Sequence, residues 1–390
     1  MYEFKLPNYK DGCIVNLMSS ITKSFGGKHT YEELLSLKSD ELKKYKNIVL
    51  LVIDGLGYNY VNKQKDSFVK ANLNNSMTST FLSTTVCANT AFHVGYPPQQ
   101  HALTGWDINL KETGSITTVL PFIPHYGGES LSKSGFKMDQ IMDIDSLHKD
   151  FNAECFTLLH KKMSGSPFTR YVGRNTKIIS TKSYKNTFVK IKKLIKKKST
   201  KRKFIHVYIS DLDSLAHKEG IQSEEVKKTF HNLDKQIKKL SDSIKRTNTM
   251  IIVVGDHGLI DASEETELWV EDIEGLKECL TIPLAGEPRV RYCFVRPHKV
   301  EDFEKIMKTK MSDYCWWYKG EQLIKDHFYG LGKPHPKLID RVGDYVLIMK
   351  KNYILRNKLA NYEESDTFHK GKHGGVSDDE MIVPLICIDC

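Results

Sequence analysis

Residues 47–55 read NIVLLVIDG. An apolar run this short and unbroken, closed by Asp-Gly, predicts a parallel strand covered on both faces; a half-exposed strand would alternate. Working outward, 203–209 (KFIHVYI) and 250–254 (MIIVV) predict the same. Residues 381–388 (MIVPLICI) predict a fourth strand, with Pro384 marking a sheet edge or a strand end. Helical periodicity lies between them: in 223–244, Val226, Phe230, Leu233, Ile237 and Leu240 fall on one face. This alternation predicts an α/β fold, a central and mostly parallel sheet flanked by helices.

The long stretch between His257 and His373 carries its own signals: a strand at 289–295 (RVRYCFV), a helix at 300–311 and a strand at 345–349. The expected division is a catalytic core of 1–267 and 346–390 with an inserted cap at 268–345.

In open parallel sheets, ligands bind beyond the carboxyl ends of the strands. Asp54 follows the first strand, Asp211 and Asp213 follow the second, and Asp256-His257 follow the third. Ser83-Thr84-Thr85 and Gly371-Lys372-His373-Gly374 complete a pool of carboxylates, imidazoles and hydroxyls that suits two divalent ions sharing one nucleophile. His217 stands four residues after Asp213, so both project to one side of a helix. That spacing favours Asp213 over Asp211, which is expected to cap a helix or support from behind. Thr85 is the expected nucleophile, with Thr84 its rival; a threonine hydroxyl needs activation, which a bound cation supplies. These hydroxyls also suit the N-terminus of a helix over 88–95, a place that favours a phosphate oxygen. His93, His101, His125 and His206 lack such a context and are expected to be structural.

The 390 residues exceed the usual size of one hydrophobic core. Much of the net charge of +10 sits in Lys190–Lys203, KIKKLIKKKSTKRK. A solvated helix and loop is the expectation there, and nucleic acid is not an expected partner because no aromatic residues interleave the run. The eight cysteines are scattered; Cys387 and Cys390 form a C-x-x-C pair without a second pair to complete a zinc site. Residues 1–5 (MYEFK) show no secretory pattern and no apolar run has bilayer length, so a cytoplasmic protein without a membrane partner is expected.

The stretch 83–106, STTVCANTAFHVGYPPQQHALTGW, together with GDHG at 255–258 and GKHGGVSDDEMIVPL at 371–385, resembles the alkaline phosphatase superfamily. Within it the chain is most similar to the type I phosphodiesterase/nucleotide pyrophosphatase family. The resemblance implies an alkaline phosphatase-like core and places the nucleophile on Thr85. It implies two zinc ions, with manganese the alternative, one held by Asp54, Thr85, Asp256 and His257, the other by Asp213, His217 and His373. It further implies cleavage of phosphodiester or pyrophosphate bonds, in small nucleotide-type substrates, through a phospho-threonine. The chain also departs from the family pattern. Trp106 stands where nucleotide-cleaving members carry an Asn that grips phosphate, and Ala102 replaces a Gly. Asn89 or backbone N–H groups are then expected to serve as the clamp, and Trp106 to line the leaving-group pocket. No Arg lies near Thr85 in sequence, which favours a substrate carrying less charge than a monoester. A phosphomonoesterase or phosphonate hydrolase on the same site is the alternative within catalysis; a non-catalytic polyanion-binding module is the alternative outside it.

Overall fold

A computed structural model describes residues 3–358 and 368–390. The main sheet has seven strands in the order Leu73–Thr78, Ile382–Asp389, Thr249–Val254, Asn47–Ile53, Arg202–Ile209, Ala153–His160, Lys177–Thr181. Asn47–Ile53 lies at its centre, parallel to both neighbours. Ile48, Leu50 and Val52 enter one apolar core, with the helices Ile14–Ser24 and Thr85–Val94. Val49, Leu51 and Ile53 enter the other, with Tyr184–Lys196 and Glu224–Ser243. Period-two alternation thus divides one apolar run between two cores. Ser223 caps its helix by accepting from the Val226 N–H at 3.3 Å.

Ile382–Asp389 runs antiparallel between two neighbours, so Pro384 is not on an edge strand. Its pairing with Thr249–Val254 begins only at Leu385, and Pro384 is paired on the other side alone, with Ser76. The missing N–H falls where the ladder has one neighbour.

A second seven-stranded sheet, antiparallel throughout, runs in the order Cys315–Lys319, Tyr345–Met349, Val290–Cys293, Ala285–Glu287, Asp107–Leu110, Ser115–Thr118, Ile123–Pro124. The elements expected within a 268–345 cap therefore share a sheet with 107–124, and Tyr345–Met349 pairs on both sides within it. The bond between the two halves is short, a register of Gly286 with Asp107, and leaves no trace in either segment's pattern.

The basic stretch is divided between surface and structure. Tyr184–Lys196 exposes its lysines over a buried face of Phe188, Ile191 and Ile195. Lys203 instead turns back under that helix, donating from Nζ to the Leu194 carbonyl at 2.7 Å, where a cation also meets the negative end of the helix dipole. Arg202 donates to the Tyr45 carbonyl at 2.9 Å and lies over the Phe25 ring. Cys387 and Cys390 are free thiols on or beside the last strand.

Candidate active site

The main sheet delivers the expected residues to one edge. Asp54 leaves the central strand, Asp256-His257 leave Thr249–Val254, and Asp213 sits in the first turn of Asp211–Glu219, which follows Arg202–Ile209. Thr85 is the first residue of the helix Thr85–Val94. His373 follows the short strand Gly371–Lys372. Asp211 opens its helix facing solvent, whereas Asp213 is buried.

The turns are tightly fitted. A β-carbon on Gly258 would run into the Asp379 carbonyl oxygen, so glycine is the residue that lets the 255–258 turn close. Ser83 Oγ donates to the Gly375 carbonyl at 2.7 Å, tying the segment before Thr85 to the loop after His373. That loop is held in turn by Glu380, which accepts from the Gly375 N–H at 2.8 Å and the Ser377 hydroxyl at 2.7 Å. Arg289 meets Glu380 with two N–H···O bonds of 3.1 Å, and both side chains are almost wholly buried.

Two groups of side chains place their ligand atoms close enough for one ion each: Asp54, Asp256 and His257; and Asp213, His257 and His373. Asp256 Oδ1 accepts from the N–H groups of Gly55 and His257 at 3.1 and 3.0 Å, while its Oδ2 has no hydrogen-bond partner. Asp54 Oδ1 and Asp213 Oδ1 are likewise buried without a hydrogen bond. Orphaned carboxylate oxygens at the centre of such clusters are costly unless a cation meets them, and the carboxylate–imidazole set suits a divalent metal. His257 Nδ1 faces the Gly258 carbonyl at 3.0 Å and His217 Nδ1 faces the Gly371 carbonyl at 2.8 Å. Each carbonyl accepts from a protonated Nδ1, which leaves Nε2 as the free lone pair for a metal.

His257 Nε2 stands 3.3 Å from Asp54 Oδ1 and 3.2 Å from Thr85 Oγ1. The His257 and His373 rings stack with centroids 3.8 Å apart. His217 Nε2 reaches Asp213 Oδ2 at 3.3 Å, and His373 Nε2 lies 4.0 Å from Asp213 Oδ1. His217 is thus beside the second group, with His257 the more central member. Tyr208 donates its hydroxyl to Asp54.

Burial, and then the Asp213 charge, raises the Asp54 pKa; burial and then Asp54 raise Asp256 to about 7. Burial acts to lower His257, but Asp256, Asp54 and Asp213 outweigh it and raise the imidazole to about 10. The edge is a concentration of negative charge that calls for cations.

Above it opens a cavity of about 480 Å³. Thr85, Asp54, Asp213, His217 and His373 form part of its wall, and Trp106, 37% exposed, forms another part. Trp106 is therefore a cavity residue and not core. Asn89, four residues beyond Thr85, is buried with its Oδ1 unbonded and is not among the lining residues. The second sheet supplies residues the sequence did not single out: Glu287, Arg291 and the pair His125–Asp107, with Nδ1 and Oδ1 2.9 Å apart. His125 thus borders the cavity. Arg356, His369 and Lys372 also line the cavity. Sequence distance hid the arginines: none neighbours Thr85 along the chain, yet Arg291 and Arg356 share its cavity.

His93, His148 and His206 form a separate buried cluster behind the Thr85–Val94 helix, with His93 and His206 centroids 4.3 Å apart. Burial lowers all three, His148 and His206 to about 3.

A family model, type I phosphodiesterase/nucleotide pyrophosphatase, matches residues 48–376. No curated protein matches the chain in sequence. Among solved structures, the fold is similar to murine ectonucleotide pyrophosphatase/phosphodiesterase 5, at TM-score 0.65 and 16% identity over 87% of each chain. The human counterpart gives 0.65 and 15%, again over 87% of each chain. An inactive threonine-to-alanine form of the murine protein in complex with AMP gives 0.62 and 15% over 87% of each chain.

Proposed function

The chain belongs to the type I phosphodiesterase/nucleotide pyrophosphatase family of hydrolases, and on that basis we propose that it cleaves phosphodiester or pyrophosphate bonds of small nucleotide-type substrates, with Thr85 as nucleophile. The observation that carries this reading is that the groups Asp54–Asp256–His257 and Asp213–His257–His373 share His257, whose Nε2 lies 3.2 Å from Thr85 Oγ1. Asp54, Asp256, His257 and Thr85 would hold one divalent ion and Asp213, His217 and His373 the other, zinc by the donor set and manganese as the alternative. Two such ions acidify a bound hydroxyl and offset charge on the attacking and leaving oxygens.

The chain's own contribution is orientation. Thr85 is fixed at a helix N-terminus, where the dipole and free N–H groups favour a phosphoryl oxygen. Its Oγ attacks phosphorus in line, the leaving oxygen departs toward the Asp213 side, and water then cleaves the phospho-threonine. The cavity walls from 107–124 and the 268–345 region receive the leaving group, with Trp106 offering an aromatic surface to a base. The eight cysteines are free, which supports a reducing compartment such as the cytoplasm. Among the described residues, no helix is long and apolar enough to cross a membrane.

Arg291 and Arg356 on the cavity wall support a second reading, a phosphomonoesterase. Initial rates on bis-p-nitrophenyl phosphate, p-nitrophenyl phosphate and a p-nitrophenyl nucleotide ester separate the two. Faster hydrolysis of the diesters is expected; a preference for the monoester would replace the first reading with the second.

A further inference from the structure

Glu287 ends a short strand of the second sheet and is 6% exposed. Its Oε1 accepts from Thr84 Oγ1 at 2.6 Å and from the Trp106 N–H at 2.9 Å. Thr84 precedes Thr85, and Gly374 follows His373. A β-carbon on Gly374 would lie 2.9 Å from that of Glu287, and Gly374 already has φ +106°. The side chain is therefore packed between the Thr84–Thr85 segment, which its carboxyl meets, and the loop after His373, which its Cβ and Cγ approach. It lines the same cavity as Thr85.

We propose that Glu287 is a specificity-determining residue that makes the site prefer a singly charged phosphodiester to a doubly charged phosphomonoester. This rests on the reading of Thr85 as the nucleophile of a phosphodiesterase. An ionised carboxylate has no donor to offer a phosphoryl oxygen, and like charges repel most where water is excluded. A phosphodiester brings one negative charge, whereas a monoester brings nearly two above its second ionisation, about pH 6. Arg291 on the same wall attracts both substrates and the dianion more strongly, so a preference for the diester needs an opposing charge. Glu287 adds the discrimination by penalising the second charge. The Trp106 N–H, a backbone donor that Thr84→Val leaves in place, holds that charge at the cavity wall.

The test is kcat/KM for p-nitrophenyl phosphate and bis-p-nitrophenyl phosphate, in wild type, Glu287→Gln, Glu287→Asp and Thr84→Val. Assays are run at about pH 8.5, above both the monoester's second ionisation and the value of about 7 to which burial raises Glu287. Gln keeps an acceptor for Thr84 and Trp106 and removes the charge. The monoester-to-diester ratio is expected to rise by about tenfold or more in Glu287→Gln and to stay near wild type in Glu287→Asp and Thr84→Val. An unchanged ratio in Glu287→Gln, with the diester still hydrolysed, overturns this proposal alone. So does a rise reproduced by Thr84→Val, which would make Glu287 a positioning residue. Hydrolysis of neither ester, or of the monoester only, by the wild type overturns the phosphodiesterase reading and this proposal with it.

Discussion

Thr85 Oγ1 lies 3.2 Å from His257 Nε2, and the same nitrogen lies 3.3 Å from Asp54 Oδ1. A hydroxyl, an imidazole and a carboxylate from three separate segments therefore share one point. Thr84 Oγ1, by contrast, is committed to Glu287 at 2.6 Å. The two neighbouring hydroxyls that sequence could not separate face different partners.

Thr85→Ala should lower kcat on a p-nitrophenyl nucleotide ester by a factor on the order of a thousand or more, with bound metal nearly unchanged because the carboxylates and imidazoles remain. Thr84→Val should retain most of the turnover. Normal turnover by Thr85→Ala, checked alongside metal analysis, would remove Thr85 from the reaction.

Removal of metal by a chelator should abolish hydrolysis and lower Tm. It exposes the buried Asp54, Asp213 and Asp256 to mutual repulsion, which burial intensifies. Zinc or manganese should restore both. A Tm indifferent to chelation would contradict the assignment of the orphaned carboxylate oxygens to cations.

Glu380→Ala should cost about 3–5 kcal/mol of stability, because it strands Arg289 in a site where both partners are buried. It should also lower kcat, since the Gly375 N–H loses its acceptor and the His373 loop its anchor. Urea unfolding paired with kinetics tests this; a stability loss with kcat intact would confine Glu380 to the fold.

How much of this was legible in the sequence depends on how each element is buried. The central strand was readable because both of its faces are covered, so every position from Ile48 to Ile53 is apolar. The gathering of Asp54, Asp213, Asp256 and His257 at one sheet edge was readable because strand ends place them there. The second sheet was not readable as a unit. Its strands are short, and the register of Gly286 with Asp107 joins segments with nothing in common in sequence. Glu287 and Arg291 look like the solvent face of an ordinary strand until that sheet closes over the active edge. The role of Lys203 under its helix was hidden in the same way, inside a run of lysines that are mostly solvated.

Acid should destabilise the protein steeply. His93, His148 and His206 have folded pKa values lowered by burial. The unfolded chain therefore binds more protons than the folded one below about pH 6.5. Stability is full above that value and is lost as pH falls toward about 3, where His148 and His206 titrate in the folded protein. These three alone should remove about 3–4 kcal/mol between pH 6 and pH 5. Urea midpoints across that range measure the slope. His206→Phe, which removes two buried ring nitrogens without hydrogen-bond partners, should reduce that loss by about 1 kcal/mol. An equally steep slope in that variant would assign the acid sensitivity elsewhere.

The central claim is that Thr85 carries the phosphoryl group between two half-reactions. The most direct measurement is mass spectrometry of protein quenched in acid during turnover of a p-nitrophenyl nucleotide ester, with peptide mapping of any adduct. The account predicts a nucleotidyl adduct on the peptide containing Thr85, absent from Thr85→Ala. Steady turnover with no adduct, or an adduct mapped to another residue, would contradict it.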